Sequence, residues 1–518
     1  MFQKIRELST SLAIYGLGDV AISIVNFLLL PLYVRYLTPE DYGVLALLGG
    51  VEVVAKIFFR WGLDGSFMRF YYDAADHQAR QRLASTIFFF LLAVNGVLLA
   101  VALPAAPFAA RFAAEEHVRA LQLVLINTFA MGFTFLPFHL LRMEKRAAQF
   151  SALTLARSVA TLVLRIILVV GLHMGVLGVV LADVAVTAML MIVLVRWFTP
   201  LIRPIFSGDV LRRALRFGLP RVPHAAAQQV TAVGDKFLLA LFRPTAEIGV
   251  YAMAVSFGLT LKLFLSAFEQ AWAPFYYANA REPDARKIYS SVATYTLAVL
   301  TLLAAGLAAA GGDLLEAVTG PDYRGAGDIV AWTAVGVLCQ GIYLLTSIGL
   351  NLTKKTEYYP VATITTSAAN VALNLLLIPR FGILGAAWAN AAAYALQAAL
   401  AFYFSQRFYP IVYESGRLAR IGAAGVIAVA AGRALPDMTP WAAAVGRGGA
   451  AVTLYVATLW LTGFFRPEEV ATLRRLQRKR GTPPAASVPP AETTELAGEI
   501  VAAELSDGSV VDPRSVRR

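Results

Sequence analysis

Apolar runs long enough to cross a bilayer fill this sequence and leave few folds open to it. Ile87 to Leu103 and Val292 to Ala310 are two of many stretches that match a hydrocarbon core of roughly 30 Å. The period-two alternation of a membrane β-strand is absent, and Ala and Leu follow one another continuously. A helix satisfies its own backbone polar groups inside lipid. The expected fold is an all-α polytopic membrane protein. The 518 residues are 58% hydrophobic and 15% charged, where a soluble domain has about half and a quarter. The mean hydropathy of +0.64 agrees.

Apolar runs set against polar breaks predict about fourteen transmembrane helices, beginning near residues 10, 42, 84, 117, 152, 175, 214, 247, 289, 327, 358, 382, 418 and 440. Alternate loops carry Arg80 and Arg82; Arg142, Lys145 and Arg146; Arg196, Arg203, Arg212 and Arg213; Arg281, Arg286 and Lys287; Lys354 and Lys355; Arg407 and Arg417. The opposite loops hold little beyond Arg35, Arg111, Arg243, Arg324, Arg380 and Arg433. Basic residues are retained on the cytoplasmic side, so both termini are expected in the cytoplasm of a bacterial-type inner membrane. The net charge of +12 is spread over these loops, which argues against nucleic acid as a partner.

Lys4 and Arg6 precede an apolar run without a small-residue cleavage site, so the first helix is expected to stay. After the last span, Arg474, Arg475, Arg478, Lys479 and Arg480 are expected beside anionic headgroups, followed by a disordered Pro, Ala, Thr and Glu-rich tail to Arg518. Cys339 is the single cysteine, so neither a disulfide nor a Cys-based metal site is expected.

The halves of the chain repeat. Gly43 to Tyr72 aligns without gaps on Gly249 to Ala278, pairing Gly43 with Gly249, Val44 with Val250, Lys56 with Lys262, Phe58 with Phe264 and Tyr71 with Tyr277. Further on, Lys145-Arg146 pairs with Lys354-Lys355, and Gly175-Val-Leu-Gly178 with Gly382-Ile-Leu-Gly385. Duplicated halves of this kind are common in transporters. Two six-helix lobes of one orientation are expected, residues 1–205 and 206–408, related by an axis along the membrane normal. Residues 409–465 add helices 13 and 14, and 466–518 form the tail.

A charge inside a span costs about 2.5 to 3.5 kcal/mol on insertion scales, so several on one helix need a partner or a wet cavity. Glu52, Lys56, Arg60 and Asp64 are spaced by four and fall on one helical stripe. The stripe reads either as a salt-bridge ladder that pins helix 2 or as the wall of a central cavity. Lys262, the repeat partner of Lys56, has no such ladder around it, and Glu269 lies two turns on. Two lysines across a pseudo-twofold axis suit a polyanion such as a diphosphate. Helix 7 carries Pro220, Arg221, Pro223, His224, Asp235 and Lys236, and helix 1 carries Asp19, Asn26 and Pro31, so both are expected to bend.

Lys56, Arg60, Lys262, Arg221 and Lys236 are thus the expected basic, substrate-binding cavity, with Asp64, Glu269 and Asp19 as candidates for ion or proton coupling. Arg157 and Arg165 are weaker candidates, and Asp183, the counterpart of Asn390, reads as a packing residue. No metal cluster, phosphate-cradling loop or nucleophile elbow stands out, which argues against an enzyme, and no cofactor is expected.

Three passages carry a resemblance. Tyr33 to Gly43 reads YVRYLTPEDYG; helix 7 reads FGLPRVPHAAAQQVTAVGDKFLL before Gly249-Val-Tyr251; and Leu350 opens LNLTKKTEYYP, followed by Asn370, Asn374 and IPRFGILGAAWA. Over residues 1 to about 464 the chain resembles the oligosaccharide flippases of the multidrug, oligosaccharidyl-lipid and polysaccharide exporter superfamily. The resemblance implies a V of two lobes and alternating access. It also implies an undecaprenyl-diphosphate-linked O-antigen or similar unit as cargo, with membrane lipids, and with polysaccharide polymerase and chain-length machinery as partners. A lipid II flippase and a cation-coupled drug exporter of the same superfamily are the alternatives, with a membrane polymerase or ligase more distant.

Overall fold

The structure is a computed structural model that describes residues 34–111, 115–144 and 146–466. The expected first helix with Asp19 and the basic stretch and tail beyond Arg466 lie outside the described residues. Every regular element among the described residues is helical, and those up to Thr462 belong to one compact unit. Nine of these helices are long and apolar enough to cross a membrane, and one bent pair makes a tenth.

The passage YLTPEDYG starts the first of them. Thr38 accepts a hydrogen bond from the Asp41 amide at 3.1 Å, and the Asp41 carboxylate accepts one from the Thr38 amide at 3.0 Å, a reciprocal cap with Pro39 in the first turn. Helix α1 runs Pro39–Arg60 and breaks at Trp61 and Gly62, both left-handed with φ of 51° and 67°. α2 continues over Leu63–Asp73. The expected charged stripe is therefore split, with Asp64 beyond the break. α3 (His77–Ala110) is capped by Asp76, and α4 (Val118–Met143), α5 (Ala147–Arg165) and α6 (Gly175–Phe198) follow.

The link to the second half holds α7 (Gly208–Gly218), whose exposed Arg212, Arg213 and Arg216 oppose a buried Ala214. Where the sequence predicts one helix from about residue 214, α7 ends at Gly218, a 3-10 turn covers Leu219–Arg221, and α8 takes up Val222–Ala240. Pro220 and Pro223 remove two backbone donors there, and the tighter turn accommodates the loss.

α9 (Thr245–Gly258) and α10 (Leu261–Ala278) form the bent pair, at 44°. They are the repeat of α1 and α2, yet the breaks fall at different repeat positions. α11 (Ala285–Thr319), α12 (Gly327–Thr346), the short α13 (Ile348–Leu352) and α14 (Tyr358–Phe408) follow. At 51 residues α14 is far longer than the roughly 20 that span a bilayer, and Gly382, with φ of 59°, divides it where the sequence predicts a new helix. α15 (Ser415–Arg433) and α16 (Pro440–Leu461) complete the set.

The halves meet through glycine. α1 packs along α9, and a side chain at Gly43 would strike the Thr245 carbonyl while one at Gly249 would strike that of Pro39. Pro39 and Thr245 are themselves repeat-related, so the contact is reciprocal between the repeats. Between apolar helices in lipid, such backbone approach supplies packing that hydrophobic burial does not. α10 instead packs within its own half, and α2 packs most heavily on α7 of the link. α15 and α16 are pinned to α11 and α12. Arg447 pairs with Asp313 at 2.9 Å and Arg433 with Asp328 at 2.8 Å, and the Tyr455 hydroxyl donates to the Ala298 carbonyl at 2.8 Å.

Candidate functional site

Charge gathers between α1, α4, α5 and α6. A cavity of about 290 Å³ is lined by Glu52 of α1, Asn127 of α4, Thr154, Arg157 and Arg165 of α5, and Asp183 of α6. A second cavity, about 240 Å³, shares Glu52, Arg165 and Asp183 and adds Tyr42, Lys236 of α8 and Ser256 of α9. Glu52, Arg165 and Asp183 border both cavities, and this adjoining pair, a polar passage in two chambers, extends from α5 to the second half of the chain.

Ion pairing decides the sign of this passage. Arg165 binds both oxygens of Asp183 at 2.9 Å, and Lys56 binds Glu52 at 2.5 Å. Arg157 and Lys236 have no carboxylate within 4.0 Å among the described residues, and the Arg157 guanidinium donates to the Met131 sulfur at 3.4 Å. With both acids neutralised, the lining carries two uncompensated cations beside hydroxyl and amide groups. An anionic, hydroxyl-rich ligand matches it.

Arg165 and Asp183 have side chains only 17% and 30% exposed, so the pair is a structural commitment as well. Arg165→Ala strands the carboxylate and is expected to lower folding stability by about 3 kcal/mol, the low end for a broken buried pair because Asp183 keeps some solvent. A melt in detergent measures it; the double Arg165→Ala, Asp183→Ala variant is expected to recover most of the loss, and no recovery would show that the pair does not act as a unit.

The other expected site residues lie elsewhere. Arg60 sits 3.9 Å from Asp64 across the Trp61 break, and Arg221 lies over the Phe217 ring with its guanidinium against Gly65. Lys262 and Glu269 stand on the exposed face of α10 with Ser266 and Gln270, and line neither polar cavity. Lys236 alone of the five cations lines the passage, and Lys56 adjoins it through Glu52.

Two further features carry little signal in the sequence. Asp235 is 2% exposed in α8 and accepts from the Tyr251 hydroxyl at 2.5 Å, from the Asn390 amide at 2.6 Å and from the Lys236 backbone at 2.8 Å. Asn370 extends this network by donating to Asn390 at 2.7 Å. The other is an apolar trough of about 1050 Å³ between α11, α12 and α15, walled by Leu297, Ala304, Val335, Leu338 and Val426. Gln406 and Tyr413 mark one end and Arg433 the other. Ala293 to Ala308 on its α11 wall covers roughly 22 Å of helix, most of a hydrocarbon core.

This is the architecture of solved membrane transporters. The fold is similar to that of the lipid II flippase MurJ in an inward closed conformation, with a TM-score of 0.69 and 13% identity over 85% of this chain and 97% of that one. It is also similar to an inward-facing MATE family multidrug resistance transporter of the MOP superfamily, with a TM-score of 0.56 and 16% identity over 79% and 98%. A MATE protein in complex with MaD5 gives 0.53 and 16% over 80% and 96%. Among curated proteins none matches the chain in sequence. The sequence profile of the polysaccharide biosynthesis protein family matches residues 32–324, and the chain belongs to that family.

Proposed function

We propose that this protein carries an undecaprenyl-diphosphate-linked oligosaccharide, of the O-antigen or a similar repeat class, from the cytoplasmic to the periplasmic leaflet of the inner membrane. The observation that carries this reading is the presence, in one bundle, of a cationic polar passage and a long apolar trough. A diphosphate and its first sugars suit Arg157, Lys236 and the surrounding hydroxyls, and a polyprenyl chain suits the trough. Alternating access would part the Gly43 and Gly249 contact and close the opposite ends of the two lobes around a midplane site. Arg221 and Lys262, without a carboxylate within 4.0 Å among the described residues, would then attract the anion from the Asp73 end, while Lys56 and Arg60 are held by Glu52 and Asp64.

Net transport needs an energy source, and the sequence has no phosphate-cradling loop. An ion gradient is our reading of it, with Asp235 joining Asp64, Glu269 and Asp19 as a coupling carboxylate. A lipid-linked peptidoglycan precursor is the second reading, favoured by the fold shared with MurJ. A cation-coupled drug exporter fits less well, because Arg157 and Lys236 repel cationic drugs. Polymerase and chain-length machinery, as partners that take up the delivered product, follow from the same proposal.

The test is flipping of a radiolabelled undecaprenyl-diphosphate glycan in proteoliposomes. Wild-type protein is expected to flip it, and Arg157→Gln with Lys236→Gln to lose at least about tenfold, each lost charge-assisted contact being worth about 1.5 to 3 kcal/mol. Flipping of lipid II in preference to the glycan would select the second reading, and flipping of neither would discard both.

A further inference from the structure

We propose that the first half of the chain carries a binding site for an anionic glycerophospholipid, separate from the polar passage and independent of what the protein transports. A groove of about 390 Å³ runs between α3, α4 and α6, lined by Phe88, Leu92, Phe133, Pro137, Met191 and Leu194. Its surface is almost wholly hydrocarbon, and Leu92 is 45% exposed along it. A sugar or a free anion gains little there, whereas an acyl chain gains contact along the whole length.

The groove ends at Phe88 of α3 and at Phe198, where α6 stops, and spanning helices meet headgroups at their ends. Thr199 and Ile202 close it. The chain that supplies them is fastened to α3: Gln81 donates to the Pro200 carbonyl at 2.9 Å, the Arg203 amide donates to Ser85 at 2.8 Å, and the Ser207 amide donates to Thr86 at 3.1 Å. Ser85 and Thr86 are fully buried, so this rim is built into the fold.

Three exposed arginines belong to the segments that build the rim. Arg82 lies one turn before Ser85 and Thr86, Arg196 one turn before Thr199, and Arg203 directly after Ile202. Each is exposed, and none has a carboxylate within 4.0 Å among the described residues. Asp209, in the first turn of α7, is the acidic residue nearest in sequence to Arg203 and has no cation within 4.0 Å among the described residues. Guanidinium groups bind phosphate oxygens two at a time, and at a helix C-terminus, as at Arg196, cationic charge is favoured. Exposed Ile205 and Phe206, at 41% and 57%, flank the rim as residues that enter the interfacial layer. Groove and rim together describe a lipid with one chain in the groove and its phosphate on the arginines.

The test uses the full chain, delipidated in detergent and titrated with dioleoyl phosphatidylglycerol, with binding read by native mass spectrometry and by the unfolding midpoint. Phosphatidylglycerol is expected to bind and to raise the midpoint, with dioleoyl phosphatidylcholine and glycerol phosphate bound far more weakly. Arg82→Gln, Arg196→Gln and Arg203→Gln together are expected to weaken it by roughly 100-fold, at about one headgroup interaction per arginine. Met191→Trp, which fills the groove and keeps the arginines, is expected to weaken it as well. A control with Arg281, Lys354 and Arg407 changed to Gln is expected to bind normally. Equal binding of phosphatidylcholine, equal binding of glycerol phosphate, or equal loss in the control would each overturn the site.

Discussion

A Gly249→Leu variant is expected to fold, to lose transport by at least about 100-fold, and to rest with the Pro39 ends of α1 and α9 apart. A leucine has no room at that position, because its first added carbon meets the Pro39 carbonyl, and a side chain at Gly43 meets the repeat-related obstacle, the Thr245 carbonyl. Backbone cannot step aside as a side chain can, so the cost falls on the state in which these helices touch. Overpacking costs about 1 to 3 kcal/mol even in adaptable cores, and about 3 kcal/mol already moves a two-state equilibrium by roughly 100-fold. The state with the helices apart feels no such penalty.

Ser256→Cys, in a Cys339→Ser background, reports the outcome, since Ser256 lines the cavity beneath the contact. A membrane-impermeant maleimide applied from the Pro39 side is expected to label it about tenfold faster in Gly249→Leu. Unchanged labelling together with normal flipping would remove the glycine contact from the transport cycle.

The second large effect is expected at Asp235. Asp235→Ala strands the buried Tyr251 hydroxyl, at about 1 to 3 kcal/mol, while the Asn390 amide keeps its 3.0 Å bond to that hydroxyl. A loss of roughly 1 to 3 kcal/mol in folding stability follows, visible as a lower unfolding midpoint in detergent. Asp235→Asn keeps the shape and one acceptor oxygen for Tyr251 and Asn390 but sets its amide against the Lys236 N–H, so its midpoint is expected between those of wild type and Asp235→Ala while the charge is gone. If Asp235 couples transport to an ion, that variant flips substrate at a rate insensitive to the imposed gradient. A rate that still follows the gradient would assign coupling to another carboxylate.

The helical ground plan is legible in the sequence because hydropathy and caps are local signals. Expected starts near residues 117, 175, 327 and 440 coincide with Val118, Gly175, Gly327 and Pro440. The repeat alignment pairs Gly43 with Gly249, and these two glycines lie against each other's helices in the fold. The Trp61 break is hidden because a non-glycine residue with positive φ follows from packing, not from its own propensity. The pairing of Arg165 with Asp183 is hidden for a different reason: their helices are neighbours in space, and sequence spacing says nothing of that. Asp235 is obscured by Lys236. Adjacent residues on a helix point to different sides, and here the acid turns into the bundle while the base faces the passage.

The buried hydroxyl groups that fasten the linker limit how the two halves can move. Ser85 and Thr86 hold residues 203 and 207, and Ser66 holds the Ala214 carbonyl at 2.7 Å where Gly62 and Gly218 abut. The link is thus no slack tether: it is fastened as far as Gly218, and under the proposed alternating access the freedom left to it lies in the 3-10 turn Leu219–Arg221. Adding residues to the loop near Pro200 would leave the travel of the halves unchanged, whereas a single insertion beside Pro220 would alter its arc.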